Sequence, residues 1–224
     1  MKNKDDICVI IQARLGSQRI PAKMTKPFAG TTLLDIALEK IKNCKAFPLH
    51  NFHLSAWEPE LQEIGHNHGV NVFERSEGSA KSEGTPMTEM YEWWDKLPFK
   101  YGILINACCP FLTSETIDKF FTAYAATDSL GLFGVMEKKN YFWNENKEAL
   151  TPLTEAVMNT KTVQKTYEAA HCLYAGQLDK IGDEIWMGDF RIPGEIELFS
   201  VGEYESLDID YQWQFDMCEA LWKE

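Results

Sequence analysis

The sequence predicts an α/β domain, built as a mostly parallel sheet with helices packed against its faces. Short apolar runs alternate with segments of helical period through the first half, which is the signature of βαβ units. The runs "ICVIIQ" and "YGILIN" are apolar without alternation, as strands covered on both faces are. The chain has 224 residues, 45% apolar and 25% charged. A globular domain of that length hides roughly 70% of the surface its unfolded chain exposes. No repeat, linker or low-complexity tract divides it, so residues 1–224 read as a single domain.

Each element has its own signal. "ICVIIQ" reads as a buried strand. "TTLLDIALEKIKN" follows as a helix with Leu33, Ile36, Ala37 and Ile41 on one face and Thr31 or Thr32 as its cap. "NFHLSA" and "VNVF" read as strands on either side of the helical "EPELQEIGHNHG", where Gly69 suits the C-terminal cap. "TPMTEMYEWWDKL" reads as a helix capped by Thr85 with Pro86 at its first position. "YGILINACCP" supplies another buried strand. In "TSETIDKFFTAYAAT", Thr113 caps a helix, and Thr116 falls where a capping box prefers Glu.

The second half is less regular. "SLGLFGVMEKK", "YFWNEN" and "HCLYAG" read as strands, and Asn144–Glu145–Asn146 signals a hairpin turn rather than another βαβ unit. This break in rhythm marks a small insertion over about residues 139–175. The end reads as a strand, the acidic pair Asp208 and Asp210, and a closing amphipathic helix.

A net charge of −12 argues against a nucleic-acid binder, because affinity for a polyphosphate backbone comes from clustered Lys and Arg. The start, "MKNKDDICVIIQARLG", reaches an arginine after a short apolar run, so neither a signal peptide nor a membrane span is expected there. A cytoplasmic protein is the expectation. Six cysteines show no CxxC pair and no zinc-type spacing with the histidines, and are read mostly as buried reduced thiols.

Against that acidic background, "VIIQARLGSQRIPAKM" places Arg14, Arg19 and Lys23 directly after the first strand. A strand feeding a Gly/Ser loop aims backbone N–H groups at an anion, and neighbouring cations add charge and bidentate donors, which suits a triphosphate. The loop is neither a GxxxxGK[ST] nor a GxGxxG motif. Taken by themselves, the cations also fit a solvated surface turn, and the Asp-x-Asp pair also fits a solvated strand end.

The order of the residues distinguishes these readings. "ARLGSQRIPAK" resembles the A-R-x-G-S-x-R-[IL]-P-x-K signature of the acylneuraminate cytidylyltransferases, the family of the CMP-sialic acid synthetases, related to the CMP-octulosonate synthetases. Eight specified positions match. "KPFAGTTLLDIALE" is similar to the family's K-P-L-x-G-x-P-L stretch, and Arg75 stands where the family has an Arg-Pro pair. "LINACCPFLTSETID" and "ESLDIDYQWQFDMCEAL" resemble two further family segments, so the likeness spans nearly the whole chain.

The resemblance implies a Rossmann-like nucleotidyltransferase fold with a small hairpin region for dimerisation or as a lid. It implies a homodimer that transfers CMP from CTP to a nonulosonic acid, a related sugar acid or another small acceptor and releases pyrophosphate, in CMP-sugar biosynthesis for cell-surface polysaccharide. Ala13, Arg14, Gly16, Ser17, Arg19 and Lys23 would form the phosphate-binding loop, with Arg14 and Lys23 on the triphosphate and Arg75 near the cytosine. Asp208 and Asp210 would hold Mg²⁺. Asn106, Lys161, Gln164 and Lys165 would face the acceptor. As exposed loop positions, Arg14 and Lys23 are expected to matter for activity and little for stability.

Three departures from the family pattern bear on the acceptor. Met24 replaces an Asn, Asn106 replaces a longer Gln, and the Arg-rich stretch becomes "NTKTVQKTYEAAHCLYAG", so an acceptor other than N-acetylneuraminate is expected. His171 in that stretch reads as a strand residue or as a proton acceptor. Two rival functions remain at this level: a glycosyltransferase with a DxD metal motif, and an inactive nucleotide-binding module.

Overall fold

The computed structural model describes residues 1–81, 84–154 and 156–223. Its strands are β1 (Ile7–Ala13), β2 (Phe52–Ala56), β3 (Asn71–Glu74), β4 (Tyr101–Ile105), β5 (Gly131–Lys138), β6 (Thr166–Gln177) and β7 (Ile196–Ser200). They form one seven-stranded sheet in the order β3-β2-β1-β4-β6-β5-β7. Only β6 runs against its neighbours β4 and β5; the other pairings are parallel.

This order locates the site. The chain leaves β1 to build β2 and β3 on one side, then returns to build β4 on the other. Val9 therefore pairs with both Phe52 and Ile103. In an open α/β sheet, such a reversal opens a crevice outside the carboxyl ends of the two central strands, here β1 and β4.

Alternation along β1 assigns its two faces. Ile7, Val9, Ile11 and Ala13 join the larger core with residues of α1 (Leu33–Asn43), α4 (Ser114–Ala126) and α5 (Gln212–Trp222). Cys8 and Ile10 point the other way, into a smaller core with Trp93, Leu178, Ile181 and Trp186. Gln12 continues this second face and is the one residue of β1 that is only half-buried.

The caps follow the sequence in most places. The Thr32 side chain accepts from Asp35 N at the start of α1. Gly69 takes a left-handed φ of +70° after α2 (Pro59–Asn67), where a side chain would be strained. Thr113 accepts from Thr116 N at α4, and the box residue missing from the sequence is supplied from far along the chain. Glu205 accepts from Thr113 N and both threonine hydroxyls, at 3.0, 2.6 and 2.9 Å.

Two expected elements differ. The helix over "TPMTEMYEWWDKL" shrinks to α3 (Met87–Met90), with Pro86 rather than Thr85 at its N-cap. Beyond Met90 the chain turns, because Trp93 must reach the second core, where it is fully buried. "YFWNEN" forms no strand: Asn144 nucleates the expected turn through its side chain, but its flanks share a single bridge, Trp143 with Ala149. Such a ribbon has no third strand or core to stabilise it. The six cysteines are free.

Candidate active site

The segment from Arg14 to Met24 crosses the crevice as a braced loop. Leu15 N donates to Glu58 Oε1 at 2.8 Å, from the N-cap position of α2, and Ser17 N donates to Leu15 O at 2.8 Å. Ile20 is fully buried in the larger core and pins the middle of the loop. Ala22 adopts a left-handed φ of +50°, and its carbonyl accepts from Thr25 N and Lys26 N, which turns the chain toward α1.

The loop forms one wall of a cleft of about 440 Å³ that receives Arg14, Ser17, Arg19 and Lys23. Asn106, Ala107 and Cys108, just beyond β4, form the opposite wall, and Asp210 comes from the chain before α5. Asp210 Oδ1 lies 2.6 Å from Arg19 Nη2 and 3.7 Å from Lys23 Nζ. Arg19 also lies over the Tyr211 ring, 5.1 Å from its centroid. Gln214 Oε1 accepts from Asp210 N and Tyr211 N, both at 2.7 Å, which fixes the backbone that carries the carboxylate.

Lys23 departs from the expectation of an exposed loop position. It is only 8% exposed, and its ammonium donates to the carbonyl of the fully buried Ile209. The residue therefore joins the loop to the acidic segment, and its loss costs stability as well as charge.

Asp208 and Asp210 flank Ile209 in an irregular segment rather than at a strand end, as expected from sequence. Asp210 faces the cleft. Asp208 turns toward Asn106, whose Nδ2 donates to Asp208 Oδ2 at 3.2 Å and to His171 O at 3.0 Å. Asp208 Oδ1 is buried without a hydrogen-bond partner. Burial, and then repulsion from Asp210, raise the Asp208 carboxyl above its usual range, against the pull of Lys23 and the Asn106 amide. An orphaned buried carboxylate oxygen beside a second carboxylate is a donor set suited to a hard divalent cation. Among the described residues no group of three or more His, Cys, Asp or Glu side chains is arranged to hold a metal, so such an ion would take its remaining ligands from bound phosphate or water.

A smaller cavity, about 230 Å³, adjoins the cleft through Gln12 and Arg14 and is walled by Arg75, Ser79, Lys81 and Met90. Arg75 is 4% exposed and braces the wall: Nη2 donates to Ala13 O at 2.6 Å and Nη1 to Ser79 O at 3.4 Å. Burial lowers its pKa, with Glu58 opposing that shift. Ala13 is thus a buried support at the end of β1, and Gly16 is an exposed loop residue outside the cleft lining.

Lys161, Gln164 and Lys165 are exposed and line neither cavity; Lys165 pairs with Glu137 at 2.7 Å. His171 lies in β6 at a left-handed φ of +51°, with Nδ1 3.2 Å from Tyr174 Oη.

Sequence reasoning missed Gln12 and Cys108 as cleft residues. Gln12 was visible as the one polar residue in an otherwise apolar strand. The Cys108 thiol, pushed up to about 11 by burial despite Lys23 nearby, stays protonated and is no nucleophile near neutral pH.

Residues 8–181 match the family described as cytidylyltransferase. The pseudaminic acid cytidylyltransferase of Campylobacter jejuni is 23% identical over 236 residues, covering 100% of this chain and 97% of that protein. A CMP:2-keto-3-deoxy-manno-octonic acid synthetase complexed with CTP shares the fold at a TM-score of 0.68 and 13% identity, covering 96% of this chain and 98% of the other. The 4-diphosphocytidyl-2C-methyl-D-erythritol synthase of Anaerococcus prevotii does so at 0.66 and 14% identity, covering 97% and 96%.

Proposed function

The chain belongs to the cytidylyltransferase family, and from that premise we propose that it transfers CMP from CTP to the hydroxyl of a nonulosonic acid, releasing pyrophosphate. The observation that carries this reading is the gathering of Arg14, Arg19, Lys23 and Asp210 in one cleft at the switch point of the sheet, with Arg19 and Lys23 paired to Asp210. The pseudaminic acid enzyme of Campylobacter jejuni, alike from end to end, supports the acceptor class.

In this reading the triphosphate lies along the loop. Arg14 and Lys23 hold its phosphates, with Ser17 and Arg19 assisting, and Arg19 exchanges its contact with Asp210 for one with the nucleotide. The base enters the smaller cavity, whose wall Arg75 supports. Asp208 and Asp210 would hold Mg²⁺, which when bound neutralises charge on the phosphate oxygens. Attack at the α-phosphorus moves negative charge onto the departing pyrophosphate, and the cations of the loop would receive it. Asn106 orients Asp208 and borders the acceptor side.

CTP is therefore expected to bind in preference to UTP, ATP and GTP, with calorimetric titration in the presence of Mg²⁺ as the check. Equal affinity for the four would remove the cytidylyl assignment.

The same reading assigns a homodimer. Trp143, Leu150, Leu153, Val157 and Met158 are all strongly exposed on one irregular segment, and a second copy would cover them and bring Lys161, Gln164 and Lys165 toward the partner's cleft. Light scattering at micromolar concentration should report twice the chain mass; a monomer would contradict this arrangement. Among the described residues no helix is long and apolar enough to cross a membrane.

A further inference from the structure

Gln12 occupies the boundary between the two cavities and lines both. Its amide is held in one orientation by chemistry. Trp93 Nε1 donates to Gln12 Oε1 at 3.0 Å, and an indole N–H is only ever a donor, so the amide oxygen must face it. Gln12 Nε2 donates at 3.3 Å to Met90 O, a carbonyl that is only an acceptor. Both neighbours impose the same orientation. That orientation is rigid: Trp93 is fully buried among Ile10, Ile181 and Trp186, and the Met90 carbonyl also receives the Ser79 hydroxyl at 3.0 Å. Turning the amide over would leave a buried indole N–H against another N–H group.

An amide nitrogen carries two hydrogens, and the Met90 contact uses one. The second is a fixed donor at the junction of the triphosphate cleft and the smaller cavity. Cytosine and uracil differ along the edge such a donor would meet. N3 of cytosine is an acceptor, whereas N3 of uracil carries a hydrogen. A locked N–H attracts the first and opposes the second.

We infer that Gln12, held by Trp93, is the residue that selects cytosine over uracil, by donating a hydrogen bond to the pyrimidine N3. The inference rests on the nucleotide reading above. Trp93 is then a positioning residue, acting only through the orientation of the amide.

The unmodified protein tests this directly with CTP and 3-deaza-CTP, which differ only in that N3 becomes a C–H group. A site built around one hydrogen bond discriminates strongly against the analogue lacking it, and CTP should bind at least about tenfold more tightly. Equal affinities would overturn the role of Gln12 while leaving a CTP enzyme intact; failure to bind either triphosphate would remove the nucleotide reading itself. In the Gln12→Glu and Gln12→Leu variants, the ratio of kcat/KM for CTP to that for UTP should fall by about tenfold or more. Trp93→Phe should lower the same ratio with Gln12 unchanged, but by less than the Gln12 variants do, because the amide loses the partner of its oxygen while the Met90 carbonyl still favours the parent orientation. Folded Gln12 variants whose ratio stays within about twofold of the parent would overturn the inference.

Discussion

Replacing Asp210 by asparagine lowers turnover by about 10²-fold or more, the scale seen when a preorganised charge-stabilising group is lost. CTP affinity should fall far less. In the free protein Asp210 pairs with Arg19 at 2.6 Å and stands 3.7 Å from Lys23, so neutralising it ends the competition between carboxylate and triphosphate for these cations. The expected signature is a drop in kcat with KM nearly unchanged, and little effect on melting, because the Asp210 side chain is partly solvated. A folded Asp210→Asn enzyme that keeps most of its Mg²⁺-dependent rate would place the metal elsewhere.

Lys23→Met gives the second large effect, of a different kind. The ammonium sits in the wall of the cleft and donates to the buried carbonyl of Ile209, so one substitution removes a phosphate contact and a structural tie. Turnover should fall by about 10²-fold or more, and the unpaired carbonyl should cost about 1 to 3 kcal/mol. For a domain of this length that stability loss lowers Tm by several degrees, at about 2 to 4 °C per kcal/mol. Arg14→Ala is the contrast: its guanidinium is half-buried and makes one long contact, 3.3 Å, to Ala80 O. It should lose activity at nearly constant Tm. Equal melting of all three proteins would show that the Lys23 tie carries no stability.

These two residues also show what a linear reading can and cannot reveal. Lys23 and Asp210 were identifiable as functional because the loop signature and the Asp-x-Asp pair carry their order along the chain. The ion pair between them, and the hydrogen bond from Lys23 to the carbonyl of Ile209 beside Asp210, were not, because Lys23 and Asp210 lie 187 residues apart and only the sheet order brings them together. The same limit explains Glu205, which completes the cap of α4 from beyond β7. Helices α1 and α4 were legible because period and caps agree locally. Helix α3 was not, because burial of Trp93 overrides local propensity, and "YFWNEN" was misread because a strand pattern without a pairing partner does not make a strand. Gln12 stood within the quoted loop stretch, yet its role depends on Trp93, which no spacing rule connects to it.

The most direct measurement of the central claim is pyrophosphate release from CTP and Mg²⁺, followed with pseudaminic acid, N-acetylneuraminate, a 3-deoxy-octulosonic acid and no acceptor. The proposed reaction predicts release that requires both CTP and a sugar acid. The shortened Asn106 and the missing arginines predict that N-acetylneuraminate is used much less well than the best acceptor. A folded protein that releases no pyrophosphate from CTP with any sugar acid, or releases it equally from UTP, would contradict the account.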